Sequence, residues 1–173
     1  HFSVLHVGRI VICPSWLEHT AKPGELVIEM DPGMAFGTGH HPTTWRCLEA
    51  ADDLTFPGCK VIDVGAGSGI LSIAAAKLGA GKIWAVEIDK VAVKACRGNF
   101  RANAVSGKAR CYIGTVPQPS IPTGEADLVL ANINSVALAN LAADLRALMK
   151  PDGWLVAAGI LTEREVDVQE AFA

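Results

Sequence analysis

Val61-Ile62-Asp63-Val64-Gly65-Ala66-Gly67-Ser68-Gly69 is the stretch whose reading decides the fold. An apolar, β-branched run leads into three glycines at alternate positions. A helical pattern follows at once in Ile70, Leu71, Ile73, Ala74, Ala75 and Leu78. Strand, tight glycine turn and helix together open a nucleotide-binding βαβ unit. One glycine lets the chain turn sharply, and another leaves bare backbone for a ligand to approach.

The glycine spacing separates two ligand classes. A dinucleotide fingerprint requires Gly-x-Gly-x-x-Gly or Ala. Counted from Gly65, its last position falls on Ile70, which is too large for close helix–strand packing, and the third glycine comes one residue early at Gly69. Gly-x-Gly-x-Gly behind the carboxylate of Asp63 resembles the S-adenosylmethionine loop of class I methyltransferases. That cofactor carries an ammonium and a sulfonium and no pyrophosphate, so an acidic residue beside the loop suits it. Two plainer readings stand beside this one: a glycine turn with no ligand, and an Asp63 that satisfies loop amides.

Outward from this stretch, strand and helix patterns alternate. Strand 60–64 precedes helix 69–79, strand 82–88 precedes helix 90–103, and strand 110–113 precedes a loop with Pro117, Pro119 and Pro122. Strand 127–131 precedes helix 134–149, where Leu138, Leu141, Leu145 and Leu148 recur at helical spacing. Pro151-Asp152-Gly153 stops that helix, and strand 154–160 follows. A last helix starts near Thr162, with Glu165 completing a capping box. Apolar strands alternating with helices imply an α/β fold with a parallel sheet covered on both faces. Upstream, residues 3–13 and 26–30 read as a short β-ribbon. A loop with three glycines and two prolines (31–44) leads into a helix that begins at Pro42 and that Asp52, Asp53 and Pro57-Gly58 end.

Composition narrows the class. Half of the 173 residues are hydrophobic and 19% are charged, as expected of a globular domain with a sizeable core. A net charge of −3 without a basic run argues against a dedicated nucleic-acid binder. No apolar segment approaches the roughly 20 residues of a membrane span. Five cysteines, an odd number with no metal-ligand spacing, read as buried free thiols in a reducing cytoplasm. His40-His41 has no metal spacing either, and His41 before Pro42 reads as a loop-ordering hydrogen bonder.

Ligands of open α/β sheets bind beyond the carboxyl ends of the strands, which gathers the loops after Val64, Val86, Ile113 and Ala131. Glu87 lies 18 residues after Gly69, where a carboxylate can accept both ribose hydroxyls of an adenosine. Asp89 is the alternative, although it also suits the cap of the next helix. Asn132 ends its strand, so it either satisfies loop backbone or points its carbonyl at the methyl donor. Cys111-Tyr112-Ile113-Gly114-Thr115 falls where an adenine would rest, with Tyr112 read as core.

With these residues in hand, the chain resembles the ribosomal protein L11 methyltransferases of the PrmA type. Asp31-Pro32-Gly33-Met34-Ala35-Phe36-Gly37-Thr38-Gly39-His40-His41-Pro42-Thr43-Thr44 is similar to that family's hallmark loop, and Val61 to Ser72, Asp127 to Ile133 and Ala158 to Leu161 match later blocks. The resemblance implies a Rossmann-like class I methyltransferase fold with sheet order 3-2-1-4-5. Residues 1–40 would form a ribbon and cofactor-covering loop, and 41–173 the cofactor-binding domain. It also implies S-adenosylmethionine as cofactor, S-adenosylhomocysteine as product and ribosomal protein L11 as substrate, with no membrane or direct nucleic-acid partner. Phe36, Gly37, Thr38, Thr44, Asp63, Gly65, Gly67, Glu87 and Asn132 would hold the cofactor, and Asn132 would orient the acceptor amine. Glu87 departs from the Asp usual in the family. An N-terminal substrate domain and a final β-hairpin are expected outside this stretch. The competing functions are another acceptor on the same fold, a nicotinamide-dependent oxidoreductase, and a nucleoside binder without catalysis.

Overall fold

Gly8 and Arg9 break the first extended run into two strands, β1 (Leu5–Val7) and β2 (Ile10–Cys13), which pair antiparallel. β3 (Leu26–Glu29) then pairs parallel to β2. The expected ribbon is therefore a three-stranded sheet, because the glycine supplies a turn that the apolar run conceals. The computed structural model describes residues 3–31 and 41–173. Arg9 reaches Asp52 at 2.9 Å, tying the ribbon to helix α1 (Pro42–Leu54). Asp52 and Asp53 lie in its last turn, and α1 ends at Leu54, ahead of Pro57-Gly58. His41 is its N-cap and accepts from the Thr43 amide, and Pro42 fills the first turn.

The main sheet is parallel throughout. It comprises β4 (Lys60–Val64), β5 (Lys82–Glu87), β6 (Ala109–Ile113), β7 (Ala126–Asn132) and β8 (Met149–Ala158). The strands lie in the order β6-β5-β4-β7-β8; counted within the sheet, that is third, second, first, fourth, fifth. The connecting helices are α2 (Ile70–Lys77), α3 (Lys90–Ala102) and α4 (Ser135–Leu148), and α5 (Glu165–Phe172) closes the described chain.

Two-residue alternation sorts the core into two layers. Val61, Ile83, Ala85, Leu128 and Leu130 face α1, α2 and α3, and the ribbon residues Ile10, Ile12 and Ile28 belong to this same cluster. Ile62, Val64, Trp84, Val86, Val129 and Ala131 face the other way, against Leu138, Leu145 and Leu148 of α4 and Val168 of α5. Near-continuous burial along β4 and β7 is what a strand covered on both faces requires.

Two expectations at the C-terminal side need correction. Pro151-Asp152-Gly153 does not separate helix from strand. β8 begins at Met149, directly after α4, and the register runs from Ala126↔Met149 to Leu128↔Trp154 through a bulge opposite Asp127. Lys150 reaches Asp127 at 2.8 Å there, which anchors the bulge. The capping box does not form either. Thr162–Arg164 is a 3-10 turn without a side-chain cap, so Glu165 starts α5 instead of reaching back to Thr162.

Candidate functional site

The carboxyl ends of β4, β5, β6, β7 and β8 open into one cavity of about 570 Å³. Its lining comes from every loop that a parallel sheet offers there. Val64, Gly65 and Gly67 come from the glycine turn, Glu87 and Ile88 follow β5, and Gly114 and Thr115 follow β6. Asn132, Ile133 and Asn134 follow β7, Gly159 and Leu161 follow β8, and His41 and Thr43 come from the start of α1.

The glycine turn is fixed by backbone geometry. Gly65 has φ +73°, and the amides of Gly65 and Ala66 both donate to the Val86 carbonyl, at 2.9 and 3.0 Å. A Cβ at Gly65 would run into Cγ2 of Ile133. A Cβ at Gly69 (φ +82°) would meet Cys96 Sγ and Phe100 Cε1, both at 2.7 Å. The first glycine is demanded by the cavity wall, and the third by α3 packing behind it. Asn99 of α3 holds the same turn by donating to the Ser68 carbonyl at 2.8 Å.

Glu87 is oriented before any ligand arrives. Oε2 accepts from the Gly67 amide at 2.9 Å and Oε1 from the Asp89 amide at 3.0 Å. Each oxygen keeps a further lone pair for a donor in the cavity. Asp89 turns its own carboxylate onto the Val91 amide at 2.9 Å as the N-cap of α3. Asn132 stands across the cavity, and its Nδ2 donates to Thr44 Oγ1 at 3.3 Å over a sequence separation of 88.

Gly65, Gly67, Glu87 and Asn132 therefore line the cavity. Two other residues picked from the sequence do not. Thr44 is fully buried behind Asn132. Asp63 falls on the Val61 side of β4, beneath the turn, where Oδ2 accepts from the Ser72 hydroxyl at 2.7 Å. Burial pushes its carboxyl up to about 6, against the pull of the Ser72 hydrogen bonds. Phe36, Gly37 and Thr38 lie outside the described residues. Sequence reading passed over the apolar wall of Ile133, Ala137, Leu141 and Leu161. Ala137 and Leu141 recur at i, i+4 on α4, a spacing that can equally mean core. Among the described residues, no group of three His, Cys, Asp or Glu is placed to hold a metal ion.

The lining suits an extended nucleoside whose sugar meets a carboxylate and whose far end meets a polar amide and an apolar wall. The model of the ribosomal protein L11 methyltransferase (PrmA) family matches residues 1–173. The chain is 48% identical over 173 residues to a ribosomal protein L11 methyltransferase of Geobacter metallireducens, covering 99% of this chain and 56% of the relative. It is 41% identical over 195 residues to that of Chloroflexus aurantiacus, covering 99% and 60%. The chain thus spans little more than half the length of these curated relatives. A crystal structure of a ribosomal protein L11 methylase from Lactobacillus delbrueckii subsp. bulgaricus superposes with a TM-score of 0.83 at 29% identity, covering 98% of this chain and 86% of that one.

Proposed function

This chain belongs to the ribosomal protein L11 methyltransferase (PrmA) family, and from that premise we propose that it serves methyl transfer from S-adenosylmethionine to amines of ribosomal protein L11. The observation that carries the reading is Glu87, whose carboxylate is pinned by two backbone amides at the cavity wall. That arrangement fits a ribose with two adjacent hydroxyls.

When bound, the cofactor supplies a methyl group already activated on a sulfonium. The chain's own residues then have to position and desolvate. Gly65 and Gly67 keep the wall at the turn free of side chains, and Asp63 braces that turn from below through Ser72. Thr44 accepts from Asn132 Nδ2, which leaves Asn132 Oδ1 to accept a hydrogen bond from the acceptor amine and aim its lone pair. A lysine amine reaches its neutral form at pH 7 at a cost of roughly 4–5 kcal/mol. Ile133, Ala137 and Leu141 offset part of that cost, since an apolar wall disfavours the charged form.

The reading places the protein in the cytoplasm. All five cysteines are buried free thiols, as a reducing compartment keeps them. Among the described residues, no helix is long and apolar enough to cross a membrane.

Titration calorimetry tests the cofactor. S-adenosylmethionine and S-adenosylhomocysteine bind and NAD does not; the reverse would transfer the fold to nicotinamide chemistry. A labelled-methyl assay on purified ribosomal protein L11 tests the acceptor. Cofactor binding without label on L11 would move the assignment to a different acceptor.

A further inference from the structure

The net charge of −3 hides a strong asymmetry. Residues 90–123 contain six Lys or Arg and no Asp or Glu, while the other nine Lys and Arg share the chain with all eighteen acidic residues. Four of the six, Lys90, Lys94, Arg97 and Arg101, recur on α3 at i, i+4, i+7 and i+11. All four are exposed, while Ala92, Val93, Cys96 and Phe100 fill the buried side. At 1.5 Å rise per residue the stripe runs for about 16 Å. It starts at Lys90, two residues beyond Ile88 at the cavity wall, and follows the sheet edge away from it.

Arg97 joins this stripe to the edge strand. Its Nε and Nη2 donate to the Cys111 carbonyl of β6 at 3.0 and 2.8 Å. Arg97, Arg101 and Arg110 face one groove of about 270 Å³ between α3 and β6, shared with Ser106 and Tyr112. Among the described residues, none of the ion pairs involves Lys90, Lys94, Arg101, Lys108 or Arg110. The nearest carboxylates in sequence, Glu87 and Asp89, are taken up by backbone amides.

We propose that the α3–β6 edge is a docking surface for the phosphodiester backbone of RNA. Like charges at i, i+4 destabilise a helix on their own, so an uncompensated stripe calls for an anionic partner. Arginine forks match phosphate oxygens two at a time. An acidic peptide added as a further strand fits less well, because Arg97 already occupies an outward carbonyl of the edge. The acidic remainder of the chain repels a polyanion from the other faces and steers it to this one. The choice of RNA rests on the proposed reading, in which the substrate belongs to an RNA-built particle. Lack of a contiguous basic run argued against nucleic acid in the sequence; helical spacing scatters these cations along the chain and folding collects them.

The test is fluorescence anisotropy of the purified protein with a labelled oligouridine of about twenty nucleotides. Binding should weaken with salt at a log–log slope of roughly 3 in magnitude, as for about four phosphates. The triple variant Lys94→Glu, Arg101→Glu, Arg110→Glu should bind at least about tenfold more weakly and flatten that slope by about 2. A control with the same change of net charge, Lys22→Glu, Arg46→Glu, Arg164→Glu, should stay within about twofold. If the first triple fails to fold by circular dichroism, Arg101→Gln with Arg110→Gln takes its place, with a loss of about threefold or more expected. No saturable binding at low salt, an equal loss in both triples, or polyglutamate of matched charge binding as tightly as the oligouridine would each overturn the proposal. Calorimetry with S-adenosylmethionine on the same variants keeps the two readings apart, since the cofactor affinity of the triple should not change.

Discussion

The two ends of the cavity are built from different materials. The end at β4 and β5 is backbone: Gly65 and Gly67 present bare chain, and the Glu87 carboxylate is held by the amides of Gly67 and Asp89. The end at β7 is side chain: Asn132 is oriented by Thr44 of α1, and Ile133 and Leu141 supply the wall. A backbone site is rigid because strand register fixes it. A side-chain site is adjustable because each member can change while the fold stays. In the proposed reading, the rigid end holds an invariant cofactor and the adjustable end meets the acceptor.

The sharpest way to break this contrast is at the rigid end. Gly65→Val places a branched side chain at φ +73° and drives it into Ile133. Cofactor affinity should fall at least about a thousandfold by calorimetry, on the order of 4 kcal/mol. Retained affinity would show that the turn does not touch the ligand. At the other end, Asn132→Ala should lower turnover about a hundredfold, roughly 2.7 kcal/mol of barrier, while cofactor affinity changes by less than about threefold. Equal losses in both quantities would merge the two ends into one site.

How much of this was legible in the sequence follows the same division. The glycine turn could be read because only glycine tolerates its backbone, and Glu87 because a strand end fixes where its side chain starts. The sheet order came with the family resemblance. The Thr44–Asn132 hydrogen bond spans 88 residues and leaves no local pattern. Asp63 follows a simpler rule. Strand alternation puts it on the Val61 face, toward α2, so it braces the turn from beneath and does not line the cavity. The hairpin at Gly8 was hidden because the apolar run on both sides reads as one extended segment, and the bulge at Lys150 to Gly153 because Pro-Asp-Gly reads equally well as a plain stop.

Asp63 gives a third test, on the brace under the rigid end. Its carboxyl is pushed up to about 6 from 3.8 by burial, so the folded protein holds that proton more tightly than the unfolded chain. The sign follows: stability from this group is highest below pH ~4, declines as pH rises to about 6, and is flat above. Asp63→Asn removes that decline. The stability difference between variant and parent should shift by about 2–3 kcal/mol between pH 4 and 7 in urea titrations, in favour of the variant at the higher pH. A pH-independent difference would contradict the assignment. The smallest effect is expected behind Asn132. Thr44→Val should lower turnover about tenfold, roughly 1.4 kcal/mol, with unchanged cofactor affinity, and Thr44→Ser should restore it.

The account stands on a carboxylate that two backbone amides prepare for a sugar. A crystal structure with S-adenosylhomocysteine examines it most directly. The account predicts the nucleoside in the cavity, with its two ribose hydroxyls donating to the oxygens of Glu87 and its amino-acid end against the glycine turn. A nucleoside bound elsewhere, or a ribose turned away from Glu87, would contradict it.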